Sequence, residues 1–241
     1  MFKNANYRKG AKKMVESKGE RDAAASSAAD NENREGRLLN VSLSDYLEQL
    51  ASGAPTPGGG AASALAGAQG AALLVMVANL TIGKKKYLRV EQHNKETRAR
   101  AAEQQAKLEA GIDEDKDAFA KVAEAYAMPR QTEEEKKVRA DAIAEASVAA
   151  AEAPLRVMRA AYEAMKVARD MVGRSNPNLA NDIYVGTLML AAAIIGAKGN
   201  VDANTPYIRD RSVEQRIRRE SDGLAASAEA LQYLILYEIR R

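Results

Sequence analysis

Cysteine is absent from all 241 residues. That removes disulfide frameworks, thiolate metal sites and thiol nucleophiles at once, and it fits a reducing cytoplasm. Tryptophan is also absent, and aromatic residues make up 5% of the chain. His93 is the sole histidine, so a histidine-based zinc site is excluded and a Ser-His-Asp triad would have to rest on that one residue. It sits between Gln92 and Asn94 on a polar stretch, where a surface role is the simpler reading. No Walker lysine loop occurs, because Gly58-Gly59-Gly60 is followed by alanine. The net charge of +3 is too mild to require a nucleic-acid partner, and neither a helix-turn-helix nor an aromatic stacking platform is visible. No secretory signal opens the chain.

The segment from Gly60 to Gly83 carries no charge and approaches membrane-spanning length. Its first half is mostly Ala, Gly, Ser and Gln, which gain little in lipid, so a closely packed helix of a soluble protein is expected. Residues 1–36 lack large apolar side chains at helical spacing and are expected to form a disordered basic tail. Its Lys3, Arg8, Lys9, Lys12 and Lys13 are read as solvated, with contact to an acidic partner as the alternative.

Alanine, glutamate, lysine, arginine and leucine dominate what remains, which favours helices. The folded domain is read as 37–241, an all-α, single-domain bundle of six or seven helices. Ser42 and Asp45 suggest a helix start, with Leu43, Tyr46, Leu47 and Leu50 as its apolar face. Ala54-Pro55-Thr56-Pro57-Gly58-Gly59-Gly60 interrupts. An uncharged helix follows over about 61–82, with Ala61, Ala64, Ala68 and Ala71 along a small-residue side that admits another backbone. A polar helix covers about 89–127. Thr132 with Glu135 forms a capping box for the next helix, which must bend near Pro154. A turn at Ser175-Asn176-Pro177-Asn178 leads to an apolar helix over about 180–196, then a loop from Gly199 to Pro206. The last helix is expected to bury Leu224, Leu231, Leu234 and Ile235.

Three segments have chemical potential, and each has a plain alternative. The glycines at 58–60 leave backbone N–H groups open to an anion or a flat ligand, or simply make a tight helix start. Lys84, Lys85 and Lys86 would dock carboxylates, or complement a helix dipole. Asp113-Glu114-Asp115-Lys116-Asp117 is either a solvated face or, beside the stripe of Ile112, Phe119 and Val122, a place where a partly desolvated Asp gains proton affinity and acts as a base.

Taken together, these segments resemble the cyclodeaminase/methenyltetrahydrofolate cyclohydrolase family over about 40–240. Pro55 to Gly60, then Val77-Ala78-Asn79-Leu80-Thr81-Ile82-Gly83-Lys84-Lys85-Lys86-Tyr87, carry the strongest likeness. Ile112 to Phe119, Pro129, Thr132 with Glu133 to Lys136, Pro154-Leu155, Asn176-Pro177-Asn178 with Asp182, and Gly199-Asn200-Val201 with Asn204 add to it. Ala203-Asn204-Thr205-Pro206 departs from the family's more apolar pattern. The resemblance implies a homodimer of helical subunits and a reduced folate in a cleft, with neither metal nor cofactor, and with no nucleic-acid or membrane partner. Asp115 matches the catalytic aspartate. Pro57, Gly58, Gly59, Gly60, Lys84, Lys85, Lys86, Asp113, Asn178, Asp182 and Asn200 would bind substrate. The expected reaction is hydrolysis of 5,10-methenyltetrahydrofolate to the 10-formyl form, favoured because no formiminotransferase domain accompanies the chain. Formimidoyltetrahydrofolate cyclodeaminase on the same scaffold, or a non-catalytic folate-binding module, are the alternatives.

Overall fold

A computed structural model describes residues 37–241; the expected tail at 1–36 lies outside the described residues. The chain divides into two compact units at Leu43/Ser44. Of the first, the described part holds one 3-10 turn, Leu38–Asn40. The second, Ser44–Arg241, is described from here on.

Six α-helices make up the described fold: α1 Leu43–Leu50, α2 Gly59–Asn79, α3 Glu91–Ala127, α4 Glu133–Met171, α5 Ala180–Asn204 and α6 Arg211–Ile239, with short 3-10 turns between several of them. No strand occurs among the described residues. The capping box is realised: Thr132 Oγ1 accepts from the Glu135 N–H at 3.1 Å, and the Glu135 carboxylate accepts from the Thr132 N–H at 2.9 Å.

Helix α2 is the centre of the bundle and packs against α3, α4 and α5. Ala61, Ala64, Ala68 and Ala71 are all buried, as their spacing predicts. Small residues let α2 and α5 run antiparallel in backbone contact. A Cβ on Gly70 would lie 2.8 Å from the Gly186 carbonyl oxygen, and one on Gly186 would lie 3.0 Å from that of Gly70. Neither position has room for a side chain. By length and composition α2 and the Pro177–Tyr207 stretch could each cross a membrane; in the fold they pack on one another.

The structure departs from expectation in three places. On α1 only Tyr46 packs inward, while Leu43 and Leu47 are 66% and 54% exposed; an eight-residue helix after a loop meets the bundle along a single turn. On α6 Ile235 is fully buried but Leu234 is 47% exposed, since adjacent residues lie about 100° apart on a helix and only one faces α4 and α5. The loop expected after residue 196 is helical as far as Asn204.

That extension has a structural use. Pro154 sits inside α4 and has no N–H to donate to the carbonyl of Ala150. The Asn204 side-chain amide donates to that carbonyl at 3.3 Å, and to the Asn200 carbonyl at 2.8 Å. A side chain from α5 thus satisfies the acceptor that proline leaves open.

Candidate functional site

The N-terminus of α2 meets the middle of α3 at a single carboxylate. Asp115 Oδ2 accepts a hydrogen bond from the Ala61 backbone N–H at 3.1 Å. This is one of the amides that a helix N-terminus leaves without an intrahelical partner. The amide that follows the three glycines, that of Ala61, is therefore already occupied by the Asp115 carboxylate.

Gly60 makes the approach possible. A Cβ there would stand 2.8 Å from Asp115 Oδ2 and closer still to Cγ and Oδ1. Only a residue without a side chain lets the carboxylate settle on the helix start. Half-buried in this position, Asp115 has its pKa raised by desolvation, against a smaller opposing effect of the Ala61 N–H. Burial thus gives it more proton affinity than a solvated carboxylate, as a base requires.

Several other expected residues gather here. Pro57 is buried and follows a cis Thr56–Pro57 peptide bond. Gly58 is the N-cap of α2. Asn200 Nδ2 lies 3.8 Å from where a Cβ of Gly59 would be, and it donates to the Gly196 carbonyl. Residues two positions apart on an α-helix differ in direction by about 200°, so Asp113 and Asp117 do not share the side of α3 that carries Asp115. Asp113 is half-buried and Asp117 is exposed.

The remaining expected residues lie elsewhere in the chain. Helix α2 spans 21 residues, which is about 30 Å, and Lys84, Lys85 and Lys86 follow its far end. All three are exposed. Asn178 and Asp182 are also at that end, because α5 runs antiparallel to α2. Here the Tyr87 hydroxyl donates to Asn176 Oδ1 at 2.8 Å, the Asn178 N–H donates to the same oxygen, and the Asn176 N–H donates to Thr81 Oγ1. Asn94 bridges to the Arg174 carbonyl and accepts from Ser175. His93 Nε2 donates to the Asp170 carbonyl, so the sole histidine ties α3 to α4. A cavity of about 530 Å³ opens at this end, with Lys86, Arg89 and Arg174 among its lining residues. The chain thus holds a carboxylate end and a cationic end, separated by the length of α2.

Tyr46, expected on the apolar face of α1, carries a polar group into the fold. It reads as one more apolar position on α1, yet it is 4% exposed and its hydroxyl has no hydrogen-bond partner among the described residues. Burial, and then the negative charge of Asp115, raise its pKa. Among the described residues, no group of three or more His, Asp or Glu side chains is placed to hold a metal ion.

Comparison with known proteins gives this geometry a context. The family described as formiminotransferase-cyclodeaminase matches residues 42–223. The methenyltetrahydrofolate cyclohydrolase of Methylorubrum extorquens is 39% identical over 201 residues, covering 83% of this chain and 97% of the relative. The formimidoyltransferase-cyclodeaminase of Mus musculus is 26% identical over 199 residues, covering 83% of this chain and 37% of the much longer relative. Among solved structures, the formiminotetrahydrofolate cyclodeaminase of Thermotoga maritima matches with a TM-score of 0.74 at 28% identity, covering 83% of this chain and 96% of that one.

Proposed function

The chain belongs to the formiminotransferase-cyclodeaminase family, and from that premise we propose that it is a methenyltetrahydrofolate cyclohydrolase with Asp115 as general base and acid. The observation that carries the reading is the half-buried Asp115 carboxylate, held on the Ala61 amide with its pKa raised. The 39% identity across 97% of a cyclohydrolase favours this reaction over cyclodeamination.

The chemistry needs little more. A methenyl-folate is a cationic amidinium, so water adds to its bridging carbon without a Lewis acid. Asp115 takes one proton from that water as the carbon–oxygen bond forms. It returns the proton to the ring nitrogen as the carbon–nitrogen bond breaks, leaving the formyl group on the other nitrogen. The second water proton goes to solvent, so one proton is released overall. This route uses no cofactor or metal, and the reading is of a cytoplasmic enzyme with Pro57, Gly58, Gly59, Gly60 and Asn200 forming the wall around the reacting carbon.

A homodimer accounts for the cationic end. Val185, Leu188 and Ile195 on α5 are exposed, as are Met76 and Leu80 at the end of α2, and an apolar face of that kind suits a second copy. Two-fold pairing of α2 with its counterpart in the partner subunit turns the lysine end of one copy toward the Asp115 end of the other. Lys84, Lys85 and Lys86, with Asn178 and Asp182, then serve the glutamate tail of a folate whose ring lies at the partner's carboxylate. Neither nucleic acid nor membrane enters this reading.

The test is loss of the near-ultraviolet absorbance of methenyl-folate with pure protein, against ammonia release from formimino-folate. Faster ammonia release makes the chain a cyclodeaminase, and no turnover of either makes it a binding module.

A further inference from the structure

At the cationic end, two segments far apart in sequence are pinned together by polar side chains. Gly173, with φ at +70°, turns the chain after α4 and leads into residues 174–177. The Asn94 amide of α3 donates to the Arg174 carbonyl at 2.7 Å, and the Ser175 hydroxyl donates to Asn94 Oδ1 at 2.8 Å. The 3-10 turn Lys85–Val90 reaches the same segment through the Tyr87 hydroxyl, which donates to Asn176 Oδ1 at 2.8 Å. Both segments line the cavity of about 530 Å³, so its walls are fixed, and its volume is in the range of small-ligand sites. Lys86, Arg89 and Arg174 are in that lining, and all three are exposed. The lining also contains the Glu238 carboxylate, but Arg169 holds both of its oxygens, at 2.6 and 2.7 Å. Among the described residues the guanidinium groups of Arg89 and Arg174 have neither an ion pair nor a hydrogen bond. The Lys86 ammonium lies over the Tyr87 ring at 5.6 Å, which leaves its charge unneutralised. A helix C-terminus carries about half an elementary charge, so the end of α4 accounts for one of these cations and not for three.

We propose that this cavity binds a small anion with two or more carboxylate or phosphate groups, gripped by Arg89 and Arg174 with Lys86 as a third charge. A guanidinium takes a carboxylate or phosphate through two parallel N–H···O bonds. Two arginines on separate segments therefore favour a ligand with two anionic groups over a ligand with one. Cations gathered in a concave site with apolar walls also raise the local concentration of anions. Val90, Met171 and Ile183 in the lining suit the carbon skeleton that joins such groups. Two sources share this chemistry. One is the glutamate tail of the substrate, and that choice rests on the reading of the chain as a folate enzyme. The other is a free anion with several charges, acting at a site of its own. The cavity lies at the far end of α2 from Asp115, about 30 Å away along that helix. Its ligand therefore takes no part in the chemistry at that carboxylate, and the site is defined by binding.

Inorganic pyrophosphate, which offers two phosphate groups and little else to recognise, is titrated calorimetrically into the full chain at low salt. The variants are Arg89→Gln, Arg174→Gln and, as a control with the same change of charge, Arg130→Gln. Arg130 is exposed and lies beyond the other end of α3. The expected result is a single pyrophosphate bound per chain, with affinity that falls as salt is added. Arg89→Gln and Arg174→Gln should each weaken it about fivefold, as loss of a well-placed exposed ion pair does. Arg130→Gln should keep wild-type affinity, acetate should bind far more weakly than pyrophosphate, and Tm should be the same throughout. Pyrophosphate that raises the KM of triglutamyl methenyl-folate identifies the substrate tail as the natural ligand, and pyrophosphate that leaves it unchanged identifies a free anion; both uphold the site. Absence of saturable binding overturns the proposal. So does an equal loss in all three variants, because the cations would then contribute only a diffuse field. Wild type that is inactive on methenyl- and formimino-folate yet binds pyrophosphate through Arg89 and Arg174 overturns the enzymatic reading and leaves this site standing.

Discussion

Replacing Gly60 by alanine adds one methyl group at the point where α2 touches the Asp115 carboxylate. The nearest ordinary contact between a carbon and an oxygen is about 3.4 Å, and a methyl on Gly60 would stand 2.8 Å from Asp115 Oδ2, with Oδ1 and Cγ nearer still. Neither helix yields easily, since α2 is fixed against α5 by backbone contact at Gly70 and Gly186. The carboxylate has to swing out, by an amount on the order of 1 Å or more, and the bond from Ala61 N–H is lost. A misplacement of that size costs about 10²-fold in turnover, and complete loss of the base about 10²–10⁴-fold. Folding should survive, because alanine is the better helix former by ~1 kcal/mol, which offsets part of the lost hydrogen bond. The assay is the decline of methenyl-folate absorbance, with circular dichroism to monitor the fold. Combining Gly60→Ala with Asp115→Asn should reduce activity little beyond Asp115→Asn alone, since both act on one carboxylate. In an Asp115→Ala background the clash is removed, so Gly60→Ala should there leave Tm unchanged or raise it. Wild-type turnover in the Gly60→Ala protein would refute the reasoning, because the base would then work from some other position.

Asp115→Asn should lower kcat by about 10²–10⁴-fold with helix content intact, whereas Asp113→Asn and Asp117→Asn, on other sides of α3, should retain activity; inactivity confined to either control would move the site. Because burial raises the Asp115 pKa, activity should fall as pH drops through a value above that of a solvated aspartate. The same shift means that the folded chain holds this proton more tightly than the unfolded one, so this group's contribution to stability is present at low pH and lost as pH rises through the folded pKa. Asp115→Asn should accordingly flatten that part of the stability–pH curve, and a pH-rate profile with its acid limb at the ordinary carboxylate value would contradict the assignment. Alanine at Lys84, Lys85 or Lys86 should weaken long glutamate tails more than short ones, by about 0.2–1 kcal/mol each and less in high salt; equal effects on mono- and polyglutamylated substrate would reject the cationic-end reading. Asn204→Ala should destabilise by about 1–3 kcal/mol by leaving the Ala150 carbonyl unpaired, and much less in a Pro154→Ala background where the restored N–H takes that carbonyl; denaturant melts of the two single variants and the double variant measure the coupling.

Helix content, the Thr132–Glu135 cap and the small-residue side of α2 were legible in the sequence because each is set within a few neighbouring residues. Propensity, the reach of a capping side chain and the 3.6-residue period are local physics. The resemblance singled out Asp115 from three aspartates, which local pattern left equivalent. What makes Asp115 different is a contact made 54 residues away, with an amide at the start of another helix. Its raised pKa comes from that burial, and spacing along α3 does not encode it. That the glycines and the lysines stand at opposite ends of α2, about 30 Å apart, was also legible, because one helix over about 61–82 separates them. Tertiary structure joined Asn204 to the carbonyl freed by Pro154, and it turned Tyr46 inward while its apolar neighbours stayed in solvent. In each case the deciding partner is distant in sequence, so the chemistry of the side chain becomes specific only after the helices have packed.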